Sequence, residues 1–214
     1  MVNYNNPHIN FSRNNQTTKA VTKVLVLAII LAFIVIILGA YTRLTNAGLG
    51  CPDWPGCYGQ MIVKNNLDTK AWTEMIHRYL AGSLGLIILI TSLFILFKNP
   101  SKKILSKVLV FLLLSTVIFQ VLLGMWTVTY KLMPTVVMGH LLGGFCTISL
   151  LLLLLLNNLS FRNQIKFNNV TKFIAFLSLL AVCGQIILGG WTSANYAAIP
   201  CLDFPACNGQ YFPT

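Results

Sequence analysis

Five apolar runs, at about Val24–Tyr41, Trp72–Phe97, Ile104–Thr127, Pro134–Leu156 and Phe173–Trp191, dominate this chain of 214 residues. Each supplies the roughly 20 residues a helix needs to cross about 30 Å of hydrocarbon. Hydrophobic residues make up 56% of the sequence and charged ones 9%, with a mean hydropathy of +0.75. Soluble domains carry roughly 25% charged residues. The expected fold is an all-α integral membrane protein with five spans. The first run lies behind a polar 23-residue leader and lacks a small-x-small cleavage site, so it reads as a helix rather than a signal peptide.

Basic residues set the expected orientation. Ten of them, Arg13, Lys19, Lys23, Lys98, Lys102, Lys103, Lys107, Arg162, Lys166 and Lys172, fall before span 1 or in the loops after spans 2 and 4. The other side has four: Arg43, Lys64, Lys70 and Lys131. A cytoplasmic N-terminus and an outward-facing last segment follow. Lysines beside anionic lipid account for the net charge of +11 without nucleic acid.

The segment Leu38–Gln60 recurs at Leu188–Gln210, ungapped, with 10 of 23 positions identical. A period this long implies a duplicated multi-helix unit, complete in its first copy and only begun in its second. Gln120–Thr127 resembles Gln185–Thr192, so span 3 ends much as span 5 does. The tryptophans there suit an interfacial belt.

Both copies of the long repeat carry a cysteine pair in an outward loop, Cys51 with Cys57 and Cys201 with Cys207. Cys51 and Cys57 enclose Pro-Asp-Trp-Pro-Gly, a turn-rich stretch able to bring their Cα atoms within bonding range. Local structural disulfides are the leading expectation. Redox catalysis and zinc are the alternatives, and zinc is disfavoured by the lack of a Cys-x-x-Cys spacing or a loop histidine. Asp53 and Asp203 repeat between the cysteines, where an Asx-turn is a better role than proton chemistry. Cys146 and Cys183 lie inside spans as small apolar residues.

The chain has three histidines, and two of them are inside spans. Polar side chains are costly there and usually mark a site. His8 is in the leader. His77 and His140 each lie about six residues from the outer end of spans 2 and 4, roughly 9 Å at 1.5 Å per residue. Both spans run inward, so the imidazoles can face each other at one level. Gly82, Gly85, Gly139, Gly143 and Gly144 nearby allow close helix approach or room for a flat ligand. Two level histidines on neighbouring helices suit axial ligation of a haem iron. The alternative is a pair of hydrogen-bonding histidines without a cofactor.

Glu74 lies one turn above His77 on the same face. It is either a carboxylate serving the ligand or an interfacial partner of Lys70 or Arg78. Arg78 either holds a haem propionate or snorkels to the interface.

Three ordered motifs carry a family resemblance: Thr42–Gln60, Glu74-Met-Ile-His-Arg-Tyr-Leu-Ala-Gly82 and Gly139-His-Leu-Leu-Gly-Gly144. Together with Gly189–Cys207, they resemble the heme A synthase (cytochrome oxidase assembly) family over nearly everything from Val24 to Thr214. That resemblance implies two similar four-helix bundles in a bacterial inner membrane. Members oxidise the position-8 methyl of heme O to a formyl group, giving heme A. By motif, His77 and His140 correspond to the N-terminal histidine pair associated with the substrate haem. Glu74 corresponds to the family's active-site glutamate, and Cys51 and Cys57 to its outer-loop pair.

The implied organisation is a leader at 1–23, a haem-binding four-helix repeat at 24–157, a linker at 158–172 and the opening of a second repeat at 173–214. The second histidine pair, which holds a b-type haem in the family, would fall beyond residue 214. The resemblance therefore implies heme O as the ligand, and turnover only with a second-half chain. Heme O synthase, a second-half chain, a further copy of this chain and membrane lipid are the implied partners. A non-catalytic haem-handling protein and a quinone-linked thiol-disulfide oxidoreductase are the other readings.

Overall fold

A computed structural model of the chain describes residues 7–61, 68–98, 104–159 and 168–197. Among these lie five helices: α1 (Pro7–Leu44), α2 (Thr69–Lys98), α3 (Ile104–Thr129), α4 (Pro134–Asn158) and α5 (Asn169–Ala194). All five are long and apolar enough to cross a membrane, and the chain is a multi-pass membrane protein. Cys201, Asp203 and Cys207 lie outside the described residues.

α1 runs back into the polar leader as far as Pro7, although its spanning portion begins at Thr18. Proline is favoured in the first helical turn, and no glycine or proline interrupts the chain again until Gly39. α4 also starts on a proline. α5 is capped by Asn168, whose side chain accepts from the Thr171 amide at 2.7 Å.

The odd-numbered helices end alike. Asn46, Lys131 and Tyr196 take positive φ angles of 53°, 50° and 54°. In each case the next amide reaches back five residues, from Ala47 to Thr42, Leu132 to Thr127 and Ala197 to Thr192, at 2.8–3.0 Å. This is a Schellman stop, which pairs carbonyls that the helix end would otherwise orphan.

α1 to α4 form a closed ring in which each helix packs on its chain neighbour and α1 closes on α4. α5 lies outside the ring against α4. Gly190 makes that approach possible, because a Cβ there would come within 2.7 Å of Met138 Sδ and Leu141 Cδ2. Arg43 of α1 secures the far end of α5. One Nη donates to the Ser193 and Ala194 carbonyls at 3.1 and 2.9 Å, the other to the Tyr196 hydroxyl, and the guanidinium lies 3.9 Å over the Tyr196 ring. A cation suits a helix C-terminus.

The apolar core occupies one half of the ring, toward the leader. Leu25, Ile88, Leu113 and Leu151, one from each helix, are fully buried in it. At the same end Asn157 donates to Ser106 Oγ at 2.7 Å, and Asn158 to Thr22 Oγ1 at 2.9 Å, tying α4 to α3 and α1. The other half, toward the Cys51–Cys57 loop, contains the histidines.

Candidate functional site

The loop after α1 is folded down onto the start of α2. Cys51 and Cys57 form a disulfide with Cα atoms 4.9 Å apart, and both are buried, at 0% and 1% exposure. They pack with Ala71 and Met75 of α2. Gly50 rests directly on the Lys70–Ala71 backbone, where a Cβ would fall within 2.7 Å. A redox-active cysteine needs an exposed sulfur, so this pair is built as a structural bridge.

Glu74 and Arg78, one turn apart on α2, hold both ends of that loop. The Glu74 carboxylate is 4% exposed; it accepts from the Cys51 amide at 2.9 Å and pairs with Arg78. Arg78 Nη1 donates to the carbonyls of Asp53, Pro55 and Gly56 at 2.9, 3.3 and 2.6 Å. Glu74 is therefore not an exposed surface partner, one of the two roles its sequence position allows. Its ion pair is sheltered, and the same carboxylate satisfies a buried backbone donor. Charge-assisted bonds of this kind are the stronger sort.

Asp53 closes the loop on itself. Its two oxygens accept from the amides of Tyr58 and Gly59, each at 2.7 Å. These bonds reach five and six residues ahead, further than an Asx-turn, because the loop doubles back between the cysteines. The Gly59 amide, supported by that of Tyr58, holds the carboxyl below its ordinary value of 3.8.

Beneath the loop lie the two histidines. His77 is eight residues into α2 and His140 six into α4. At 1.5 Å per residue these depths are roughly 12 and 9 Å, so the rings lie within about one helical turn of each other. Each ring is half-buried and faces a glycine on the preceding helix, His77 against Gly39 of α1 and His140 against Gly124 of α3. Nδ1 of each is buried without a hydrogen-bond partner among the described residues. Gln120 Nε2 and Arg43 Nε are in the same condition. These four are the buried side-chain polar atoms without a partner among the described residues, and all lie in the half of the bundle beyond the apolar core. Native interiors rarely leave such atoms unpaired unless a ligand, ion or water meets them.

The structure thus brings His77, His140, Glu74, Arg78 and the Cys51–Cys57 bridge to one end of the ring. Gly139 meets Leu123, Gly143 meets Gln120 and Gly144 faces Ile36, so these are helix contacts, whereas Gly82 has no neighbour within 4 Å. Gly39, Gly124 and Arg43 are site residues that sequence reasoning misses. The internal repeats hold the signal, because Leu38-Gly39-x-x-Thr42, Leu123-Gly124-x-x-Thr127 and Leu188-Gly189-x-x-Thr192 are one pattern.

The family described as cytochrome oxidase assembly protein matches residues 22–214. The heme A synthase of Shewanella oneidensis is 47% identical over 208 residues, covering 89% of this chain and 62% of that protein. Those of Halalkalibacterium halodurans and Bacillus cereus are 30% and 31% identical, covering 84% and 82% of this chain and 61% and 58% of theirs. This chain therefore spans about three fifths of the length of these relatives. A family match over nearly the whole chain, running through the histidine pair and the cysteine loop, places it plainly: the chain belongs to the cytochrome oxidase assembly protein family.

Proposed function

We propose that this chain is the first-half unit of a heme A synthase-type oxidoreductase of the bacterial inner membrane, with heme O as its substrate. The reaction is oxidation of a ring methyl to a formyl group, and the product serves cytochrome oxidase assembly. His77 and His140 would hold the substrate iron from two helices of one bundle. The observation that carries the reading is the set of unpartnered polar atoms. Two histidines and a glutamine present buried, unsatisfied nitrogens at one end of a transmembrane ring whose other end is filled with apolar side chains. A buried imidazole nitrogen left without a protein partner inside a span is explained by a ligand.

The chain's own residues divide the remaining work. Glu74, one turn above His77, is the carboxylate we assign to proton handling at the site. Its bonds to the Cys51 amide and to Arg78 fix its position. Arg78 braces the loop with Nη1, and it reaches a haem propionate only by exchanging those carbonyl bonds. The loop, cross-linked and clasped to α2, shields this end of the site from water. A b-type haem, with its histidine pair, belongs in this reading to a second-half unit.

The burial of both sulfurs disfavours a thiol-disulfide enzyme. Haem handling without turnover is the second reading, favoured by the bonds that tie Glu74 to the Cys51 amide and to Arg78. The test is a reduced-minus-oxidised optical spectrum of the detergent-purified chain supplied with heme O, on wild type and His77→Ala. The expected result is a low-spin haem band in the wild type that is lost in the variant. Absence of a band in both removes the haem reading. A band without heme A formation, even with the second-half unit added, selects the carrier reading.

A further inference from the structure

We infer that Gly39 and Gly124 are positioning residues that set the orientation of the two imidazoles. The inference deepens the haem reading above and rests on it for the identity of the ligand. In both hairpins, α1–α2 and α3–α4, the histidine of the second helix lies with its Cε1 edge against a glycine of the first. A Cβ on Gly39 would be 3.1 Å from His77 Cε1, with Nε2 and Nδ1 at 3.6 and 3.7 Å. A Cβ on Gly124 would be 3.5 Å from His140 Cε1.

The two glycines occupy the same place in a repeated module. Each follows a leucine and stands three residues before a threonine whose hydroxyl caps its own helix, Thr42 on Leu38 O at 2.8 Å and Thr127 on Gly124 O at 2.7 Å. Each is seven residues before the positive-φ residue of the Schellman stop, Asn46 or Lys131. Glycine inside a helix is disfavoured relative to alanine, so its recurrence at this register needs a reason. The reason on view is the ring that lies on it. Such a floor confines the imidazole from one side while its buried Nδ1 makes no hydrogen bond. Approach to the neighbouring backbone, which for His77 includes a hydrogen bond to Val35 one turn before Gly39, thereby takes the orienting part that a separate second group takes around most metal-bound histidines. α5 carries the module a third time, and there a Cβ on Gly189 would meet nothing within 4 Å.

The two contacts differ, and the difference makes the inference testable. At 3.1 Å the His77 ring must yield by a few tenths of an ångström to an alanine, whereas 3.5 Å is ordinary van der Waals contact. Heme O is titrated into the full chain in detergent for wild type, Gly39→Ala, Gly124→Ala and Gly189→Ala. Gly39→Ala is expected to weaken binding by about 10- to 100-fold and to shift the low-spin optical and paramagnetic resonance signals. Gly124→Ala is expected to produce a smaller shift of the same kind, and Gly189→Ala none. Wild-type affinity and spectrum in Gly39→Ala overturn the inference.

A second arm uses the ligand-free protein. Gly39→Ala should lower the melting temperature, and adding His77→Ala should restore it, because the crowded ring is then gone. Additive losses in the double variant overturn the contact, whether or not haem binds. Failure of the wild type to bind heme O counts against the haem reading alone. In that case the melting cycle decides whether Gly39 seats His77.

Discussion

The two ends of the four-helix ring are built on opposite principles. Toward the leader, Leu25, Ile88, Leu113 and Leu151 interdigitate, and asparagines at the helix ends find hydroxyls and carbonyls across the gaps. Toward the Cys51–Cys57 loop, buried nitrogens are left without partners, glycines replace bulky side chains under the histidine rings, and a cross-linked loop is clasped over the top. In lipid the apolar end gains little from hydrophobic transfer, because hydrocarbon surrounds the helices anyway, so its stability comes from close packing. The histidine end gives up packing for unmet polar capacity. In the haem reading proposed above, one end holds the helices in register so that the other can present a preformed site.

Substitutions can sharpen or break this contrast. Leu113→Ala, at the packed end, is expected to have the largest effect on folding, a loss of about 2–3 kcal/mol from the cavity it leaves. The haem spectrum of the protein that remains folded should be unchanged. Measured by detergent unfolding and optical titration, a displaced haem band would show that the two ends are not separate in function.

Glu74→Ala acts at the site end and should cost less, about 1–2 kcal/mol, since it strands the buried Cys51 amide and frees Arg78. Its signature is local, with faster reduction of the Cys51–Cys57 bridge by a small thiol and little change in global melting. A bridge that stays as resistant as in wild type would mean the clasp does not hold the loop.

The smallest effect belongs to Asp53, which is half-buried in the loop. Its folded carboxyl titrates below 3.8 because the Gly59 and Tyr58 amides favour the charged form. Its contribution to loop order is therefore fully present above that ordinary value and is lost as pH falls through the lower, folded one. Amide hydrogen exchange at Tyr58 and Gly59 should be steady from neutral pH to about pH 4 and speed up below it, beyond the intrinsic pH trend. Asp53→Asn should remove that acid-dependent step. A step of equal size in the variant would assign it to another group.

Much of the fold is legible in the amino-acid sequence. The five apolar runs match five helices, and the Cys51–Cys57 pairing follows from a short turn-rich loop. The helices extend beyond the apolar runs, most at α1, because hydropathy marks where lipid is while a helix continues until a cap or breaker stops it. The role of Glu74 is only half visible there. Its spacing to Arg78 and His77 is a matter of helical periodicity, but the Cys51 amide it accepts from is 23 residues away and reaches it only through the fold of the loop. Arg43 is, by sequence, one basic residue among four on its side of the membrane, whereas in the fold it caps α5 across 150 residues.

What the sequence alone determined is therefore the one-dimensional part: which segments are helices, the depth of His77 and His140 to within one helical turn, and which cysteines can reach each other. Lipid and local geometry decide those, since each backbone polar group in a span must be paired within its own segment. The order of helices around the ring, and so the glycine beneath each imidazole and the carbonyls around Arg78, came only with the tertiary structure. Periodicity tells which residues share a face of one helix, but the neighbour that face meets is chosen by packing among all of them.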